Sequence, residues 1–271
     1  MHARPLWGAA ALCTLRDMLS AARRTRLLRQ TAAVVALVTG LTGLGAEPAS
    51  SAGALGLLLN FDQGDPLGIG GRVADSSGYS SDGGVTAHWG GSLVSAPGAA
   101  GTRAARYPAP CVNEPCPNTA IVVADAANLD PGRADFEWGA DILLTSFESS
   151  SGQNVMQKGL FSDPGGQWKL QVDGHLERPS CVLSGRLADG TFSRAFVIAD
   201  IAVSTGTWRR VACRRTRSSL SVYVDGQLHG RTLSPALLIT STAPLTIGAK
   251  FVDRRDNDQF QGSLDNVYMT R

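Results

Sequence analysis

Three Asp-Gly pairs, Asp173-Gly174, Asp189-Gly190 and Asp225-Gly226, stand between runs whose apolar and polar residues alternate. Glycine accepts the positive φ that a tight hairpin turn demands, and alternation puts one set of side chains against a core and the other in solvent. In residues 167–172, Trp168, Leu170 and Val172 share one face while Lys169 and Gln171 take the other. The first Asp-Gly pair follows directly and reads as a tight turn. The second lies between 182–187 and 192–198, the third between 220–224 and 227–232. Such pairs between alternating runs predict antiparallel pairing. Shorter strands are expected at 57–61, 93–95, 104–107, 121–123, 136–144, 208–214, 245–247 and 262–269, and 64–91 reads as a long loop rich in Gly, Ser and Asp. No amphipathic helix of convincing length competes. The expectation is an all-β fold of two packed antiparallel sheets, a β-sandwich.

The front of the chain has a different character. Residues 31–46 (TAAVVALVTGLTGLGA) are apolar, follow Arg23, Arg24, Arg26 and Arg29, and precede small residues, the order of a secretory signal. The stretch is shorter than the roughly 20 residues a membrane-spanning helix needs. Ala52-Gly53-Ala54 fits the small-x-small cleavage rule, so residues 1–54 are expected to be an export leader and 55–271 a single domain. Met18 is a second possible start, and Arg23-Arg24 resembles a twin-arginine signal with Arg26 in place of the aromatic it prefers. Residues 55–271 hold 19 basic and 21 acidic side chains, so the net charge of +2 for the whole sequence becomes −2 once the leader is set aside. A basic footprint for nucleic acid is absent.

Cys13 falls in the leader, which leaves Cys111, Cys116, Cys181 and Cys213. An even number in an exported chain reads as two disulfides. Cys111 and Cys116 enclose only Val-Asn-Glu-Pro, a turn-like spacing that pairs them, and this assigns Cys181 to Cys213. A four-thiolate zinc site is the rival, but it wants two close pairs, and Cys181 and Cys213 stand 32 apart.

The segments TWRRVACRR, LSVYVDGQLHG, PLTIGAK and DNDQFQGSLDNVYMTR run in the order seen in laminin-G-like, concanavalin A-like jelly-roll domains. LLLNFDQGD and ADSSGYSSDGG resemble the first strand and following loop of those domains, so the resemblance covers nearly all of 57–271. It implies a jelly roll, supports the Cys181–Cys213 pairing, and gives Gly248 and Gly262 the role of close backbone approach, with Trp168 and Trp208 in or beside the core.

The resemblance also raises two chemistries, hydrolysis and binding. Glycoside hydrolases of this fold carry carboxylates two residues apart on one strand, because such residues share a face roughly 6 to 7 Å apart. Glu137 and Asp141 share a face but stand four apart, about 13 Å along a strand. Glu137 is therefore expected to be a solvated strand residue. His88, His175 and His229 belong to no hydrolytic motif, so no catalytic residues are assigned and an enzyme is not expected. Calcium is the one cofactor the resemblance suggests, through loop carboxylates such as Asp62, Asp75, Asp82, Asp253, Asp256, Asp258 and Asp265. Candidate ligand-facing aromatics are Trp89, Trp138 and Tyr79. The resulting expectation is a secreted binding or adhesion module for glycans or cell-surface polymers, with a hydrolase or lyase, or a structural envelope protein, as alternatives.

Overall fold

The computed structural model describes residues 53–64, 67–145 and 152–271. Residues 1–52 of the expected export leader lie outside the described residues, while Gly53 and Ala54 join the sandwich, the Arg271 amide donating to Ala54. Among the described residues sixteen strands follow one another, beginning with β1 (Leu55–Leu59), β2 (Arg72–Val73), β3 (Gly83–His88), β4 (Val94–Pro97), β5 (Arg103–Arg106), β6 (Asn118–Val123), β7 (Phe136–Leu143) and β8 (Gln153–Lys158). The second half holds β9 (Gln167–Val172), β10 (Pro179–Arg186), β11 (Phe192–Ile198), β12 (Trp208–Arg215), β13 (Ser219–Val224), β14 (Gln227–Leu233), β15 (Leu245–Ile247) and β16 (Ser263–Thr270). The first sheet runs β14-β13-β12-β7-β16-β5-β4, with β1 also paired to β16; the second runs β11-β10-β9-β8-β15-β6-β3-β2. Every strand pair is antiparallel.

β1 and β5 share one edge of β16. β5 pairs with Ser263 and Leu264, β1 with Val267 to Thr270, and the ladder to β7 shifts register between Asp265 and Tyr268. Asn266 sits at the shift with φ +47. At that point Asp265 is fully buried and accepts hydrogen bonds from the Ala99 amide, the Thr102 hydroxyl and the Asn266 amide. Its side chain therefore supplies the acceptors that a continuous neighbouring strand would otherwise provide.

The core follows from alternation. Phe136, Trp138, Ala140 and Ile142 point inward from β7, and Trp168, Leu170 and Val172 from β9, all buried. Phe136 stacks on Trp138 at 4.5 Å between centroids, and Trp168 lies tilted at 5.9 Å from Trp138. Both indoles are completely buried, and a Trp to Ala change in a core costs about 3–5 kcal/mol. Beside it the Cys181–Cys213 disulfide, with Cα atoms 5.8 Å apart, links β10 of one sheet to β12 of the other. The Cys111–Cys116 bond closes the short loop between β5 and β6, as its spacing implied.

Two cations also point inward. Lys158 is fully buried and reaches Asp125 at 2.6 Å, Asp130 at 3.0 Å and the Ser241 carbonyl. Arg215, likewise buried, donates to the carbonyls of Gly132, Ala134 and Leu237 and lies 4.6 Å from the Phe136 ring centre. Burial pushes its guanidinium down to about 10. Together they tether residues 125–134 over one end of the sandwich, where the Trp168 indole also donates to Leu129.

Three expectations need correction. β8 was not anticipated, and β2 and β3 interrupt the stretch read as one loop. Asp173-Gly174 is not a tight hairpin. Six residues separate Val172 from Pro179, positive φ falls on Glu177, and the Asp173 amide donates to Arg178. The other two turns hold. Asp225 (φ +50) and Gly226 (φ +78) form a two-residue hairpin, and Gly190 (φ +83) closes the second. Gly248 and Gly262 do permit close approach, because an added Cβ would sit 1.9 Å from the Tyr107 ring and 2.3 Å from the Leu143 carbonyl oxygen, respectively.

Candidate functional site

The outer face of the first sheet carries a groove of about 600 Å³ across β1, β16, β7 and β12. Its composition follows from strand period, since alternate residues of a strand share a face. β7 turns Glu137, Gly139 and Asp141 outward, β12 turns Arg210, Ala212 and Arg214, and β16 turns Tyr268 and Thr270. Register aligns them in rows. Leu58, Tyr268, Gly139, Ala212 and Tyr223 stand side by side across five strands. The two smallest members lie between the two tyrosines, whose Cα atoms are about 14 Å apart at ordinary strand spacing. The Tyr268 ring lies over Gly139, which must be glycine because an added Cβ would meet the Val211 carbonyl at 2.4 Å and that ring at 2.9 Å.

The rows on either side are charged. On one, the Tyr268 hydroxyl donates to Glu137 at 2.6 Å, and Arg214 donates to the other oxygen of that carboxylate at 2.7 Å. On the other, Asn266 donates to Asp141 at 2.8 Å, and Arg210 approaches its second oxygen at 3.5 Å. Both arginines also lie over aromatic rings, Arg210 at 4.8 Å from the Tyr268 centre and Arg214 at 4.7 Å from that of Tyr223. Burial, followed by the Glu137 carboxylate, pushes the Tyr268 phenol upward, so it stays protonated as a donor. Glu137 is thus a half-buried, doubly bonded acceptor rather than a solvated strand residue.

This array of planar amide, carboxylate and guanidinium groups presents donors and acceptors in fixed directions beside aromatic rings. Such groups can bind paired hydroxyls or a carboxylate. The two carboxylates lie on one strand at positions four apart, about 13 Å by strand rise, whereas paired-carboxylate glycoside hydrolysis uses about 5–9.5 Å.

The residues expected to face a ligand do not line this groove. Trp138 is fully buried against Phe136 and Trp168, so its assignment as a ligand-facing aromatic is corrected: it shares the inward parity of Phe136. Tyr79 is exposed on the loop after β2, and half-buried Trp89, at φ +48, meets the His88 ring edge-on at 4.5 Å. The calcium candidates separate into different surroundings. Asp75 accepts from Leu58, Ser77 and Ser81, while Asp82 accepts from Asp75 and pairs with Arg72. Asp62 accepts from the Arg103 amide, and Asp265 holds residues 99–102. Asp258 pairs with Lys169 at 2.9 Å and Lys250 at 3.2 Å, and Asp256 reaches Lys250 at 3.8 Å. Among the described residues no three His, Cys, Asp or Glu side chains converge in a geometry that could hold a metal ion. Among them, too, no helix is long and apolar enough to cross a membrane.

Residues 142–270 match the family model of the concanavalin A-like lectin/glucanases superfamily. Similar solved structures include domain 4 of AbnA, an extracellular arabinanase from Geobacillus stearothermophilus, determined in complex with arabinotriose. It is 16% identical with a TM-score of 0.56, and the alignment covers 81% of this chain and 93% of that domain. The binding domain of Paraclostridial Mosquitocidal Protein 1 gives 15% identity and a TM-score of 0.52, covering 79% of this chain and 48% of that one. The binding domain of botulinum neurotoxin DC, solved with SialylT, gives 12% and 0.53, covering 80% and 48%. The chain thus spans about half the length of the toxin domains it matches. No curated protein sequence matches it. The shared feature is the two-sheet antiparallel sandwich.

Proposed function

We propose that this concanavalin A-like sandwich is a carbohydrate-binding module whose ligand lies in the groove lined by Leu58, Tyr268, Glu137, Arg210 and Arg214. The observation that carries the reading is the groove in which Glu137, Arg214, Arg210 and Asn266 stand around Tyr268 beside Leu58. Saccharides are recognised through planar hydrogen-bonding groups fixed in direction, and this surface offers them. The arabinotriose-bound neighbour, matched over nearly its whole length, supports the same reading. The role is binding rather than catalysis, a view supported by the strand separation of Glu137 and Asp141. Two disulfides support an oxidising, extracellular location.

A glycan array followed by calorimetric titration tests the reading. Arg214→Ala is expected to weaken binding about ten-fold or more, the loss of one charged hydrogen bond, while Trp89→Ala leaves it unchanged. Absence of any saccharide ligand would overturn the proposal. Binding lost only in Trp89→Ala would move the site to the loop after β3.

A further inference from the structure

The groove is cationic in a way that its hydrogen bonds leave uncancelled. Arg214 is matched by Glu137. Arg215 and Arg271 instead donate to backbone carbonyls, Arg271 to those of Ala127 and Asp130, and neither forms an ion pair among the described residues. Asp135 is the remaining acidic side chain in the lining, and its charge acts on Arg215. Arg210 is the most available cation. Its side chain is 51% exposed, and its one carboxylate partner, Asp141, stands at 3.5 Å with its other oxygen already accepting from Asn266. The Arg210 guanidinium lies over the Tyr268 ring, 4.8 Å from its centre. A guanidinium has five donors in a planar fork that fits a carboxylate with two parallel bonds.

We propose that the groove takes saccharides bearing a carboxylate, with Arg210 as its anchor; this rests on saccharide binding at the groove and specifies which class. Contact with the Tyr268 ring restricts the Arg210 side chain before the ligand arrives and so lessens the freedom lost on binding. The field of Arg215 and Arg271 favours the anion further and weakens with added salt.

Titration of the full chain with trigalacturonate and its methyl ester, and with sialyllactose and lactose, separates the possibilities. The expected result is that at least one acidic sugar binds and its neutral counterpart binds about ten-fold or more weakly, the loss of a charge-assisted hydrogen bond. Arg210→Lys keeps the charge but not the fork and should weaken the acidic sugar about ten-fold, a larger loss than for the neutral one. Asp141→Asn should tighten acidic-sugar binding by removing the competing carboxylate, an outcome that general misfolding would not produce. Equal binding of acidic and neutral sugars would overturn the acidic class while leaving the groove a saccharide site. Equally tight binding of a sulfated lactose would overturn the carboxylate in favour of oxyanions at large. Binding of none of these sugars, nor of any other saccharide, would overturn both readings.

Discussion

Arg214 aims its Nε and one Nη nitrogen at the same Glu137 oxygen, each at 2.7 Å, across the ladder between β12 and β7. The other Glu137 oxygen takes the Tyr268 hydroxyl, so one carboxylate ties three adjacent strands together. With both partners partly exposed, solvent screening limits the pair to a coupling of about 0.5–1 kcal/mol. A double-mutant cycle with Glu137→Gln and Arg214→Ala in urea unfolding is expected to return that value. A coupling near zero would mean the pair shapes the groove without holding the sheet.

The Cys181–Cys213 bond closes a 32-residue span between the two sheets. Loop-closure entropy for that span corresponds to about 3–4 kcal/mol. Cys181→Ala with Cys213→Ala should lower stability by about that amount. Cys111→Ser with Cys116→Ser, in an exposed loop, should cost less. Chemical denaturation of the two oxidised double variants gives the comparison, and the reverse order would contradict the core role assigned to the inter-sheet bond.

Lys158 contributes its charge inside the sandwich, where Asp125 and Asp130 meet it. Replacing it with Met leaves both carboxylates facing an apolar neighbour. For a pair with one fully buried and one partly exposed end, a loss of about 2–4 kcal/mol is expected. Amide hydrogen exchange should show the loss first in residues 125–134, whose attachment depends on Lys158 and Arg215.

Asp265 has a carboxyl pushed above the usual aspartate range, chiefly by burial, against the pull of its hydrogen bonds from Thr102, Asn266 and Ala99. Because the unfolded chain releases that proton more readily, the group favours the folded state most below about pH 4, and this contribution falls as pH rises through the raised value. Asp265→Asn removes the slope while adding a constant cost from disturbed hydrogen bonds. Unfolding free energies of both proteins from pH 4 to 7 should therefore converge with rising pH. A constant difference would show that Asp265 titrates as an ordinary aspartate.

Most of the second half was legible in the sequence because its strands alternate cleanly and two of its three Asp-Gly pairs are true turns. β8 was not, since Gln153–Lys158 turns Lys158 into the core, and its neutralising carboxylates Asp125 and Asp130 come from another part of the chain. Trp138 was readable as core from its parity with Phe136, Ala140 and Ile142, a signal outweighed by its aromatic character. The groove could be read only in pieces. Glu137 and Asp141, Arg210 and Arg214, and Tyr268 and Thr270 each alternate on their own strand. Nothing in one strand reveals that β12 and β16 flank β7, and register alone sets Gly139 between the tyrosines.

The pairing of β1 with β16 has a mechanical meaning. Leu55 stands opposite Thr270, and the Arg271 amide donates to Ala54 at 3.0 Å, so the chain enters and leaves the sandwich at one point. A pull through residues 53 and 271 would bear on that rung first and part the ladder one bond at a time, as a zipper opens, rather than loading all its bonds together in shear. Between those two strands the Cys181–Cys213 bond would keep residues 182–212 from paying out as slack. Tension would thus peel the outer strand from the groove at low force while the two sheets stay clasped, making the edge at Leu58 the part most responsive to load.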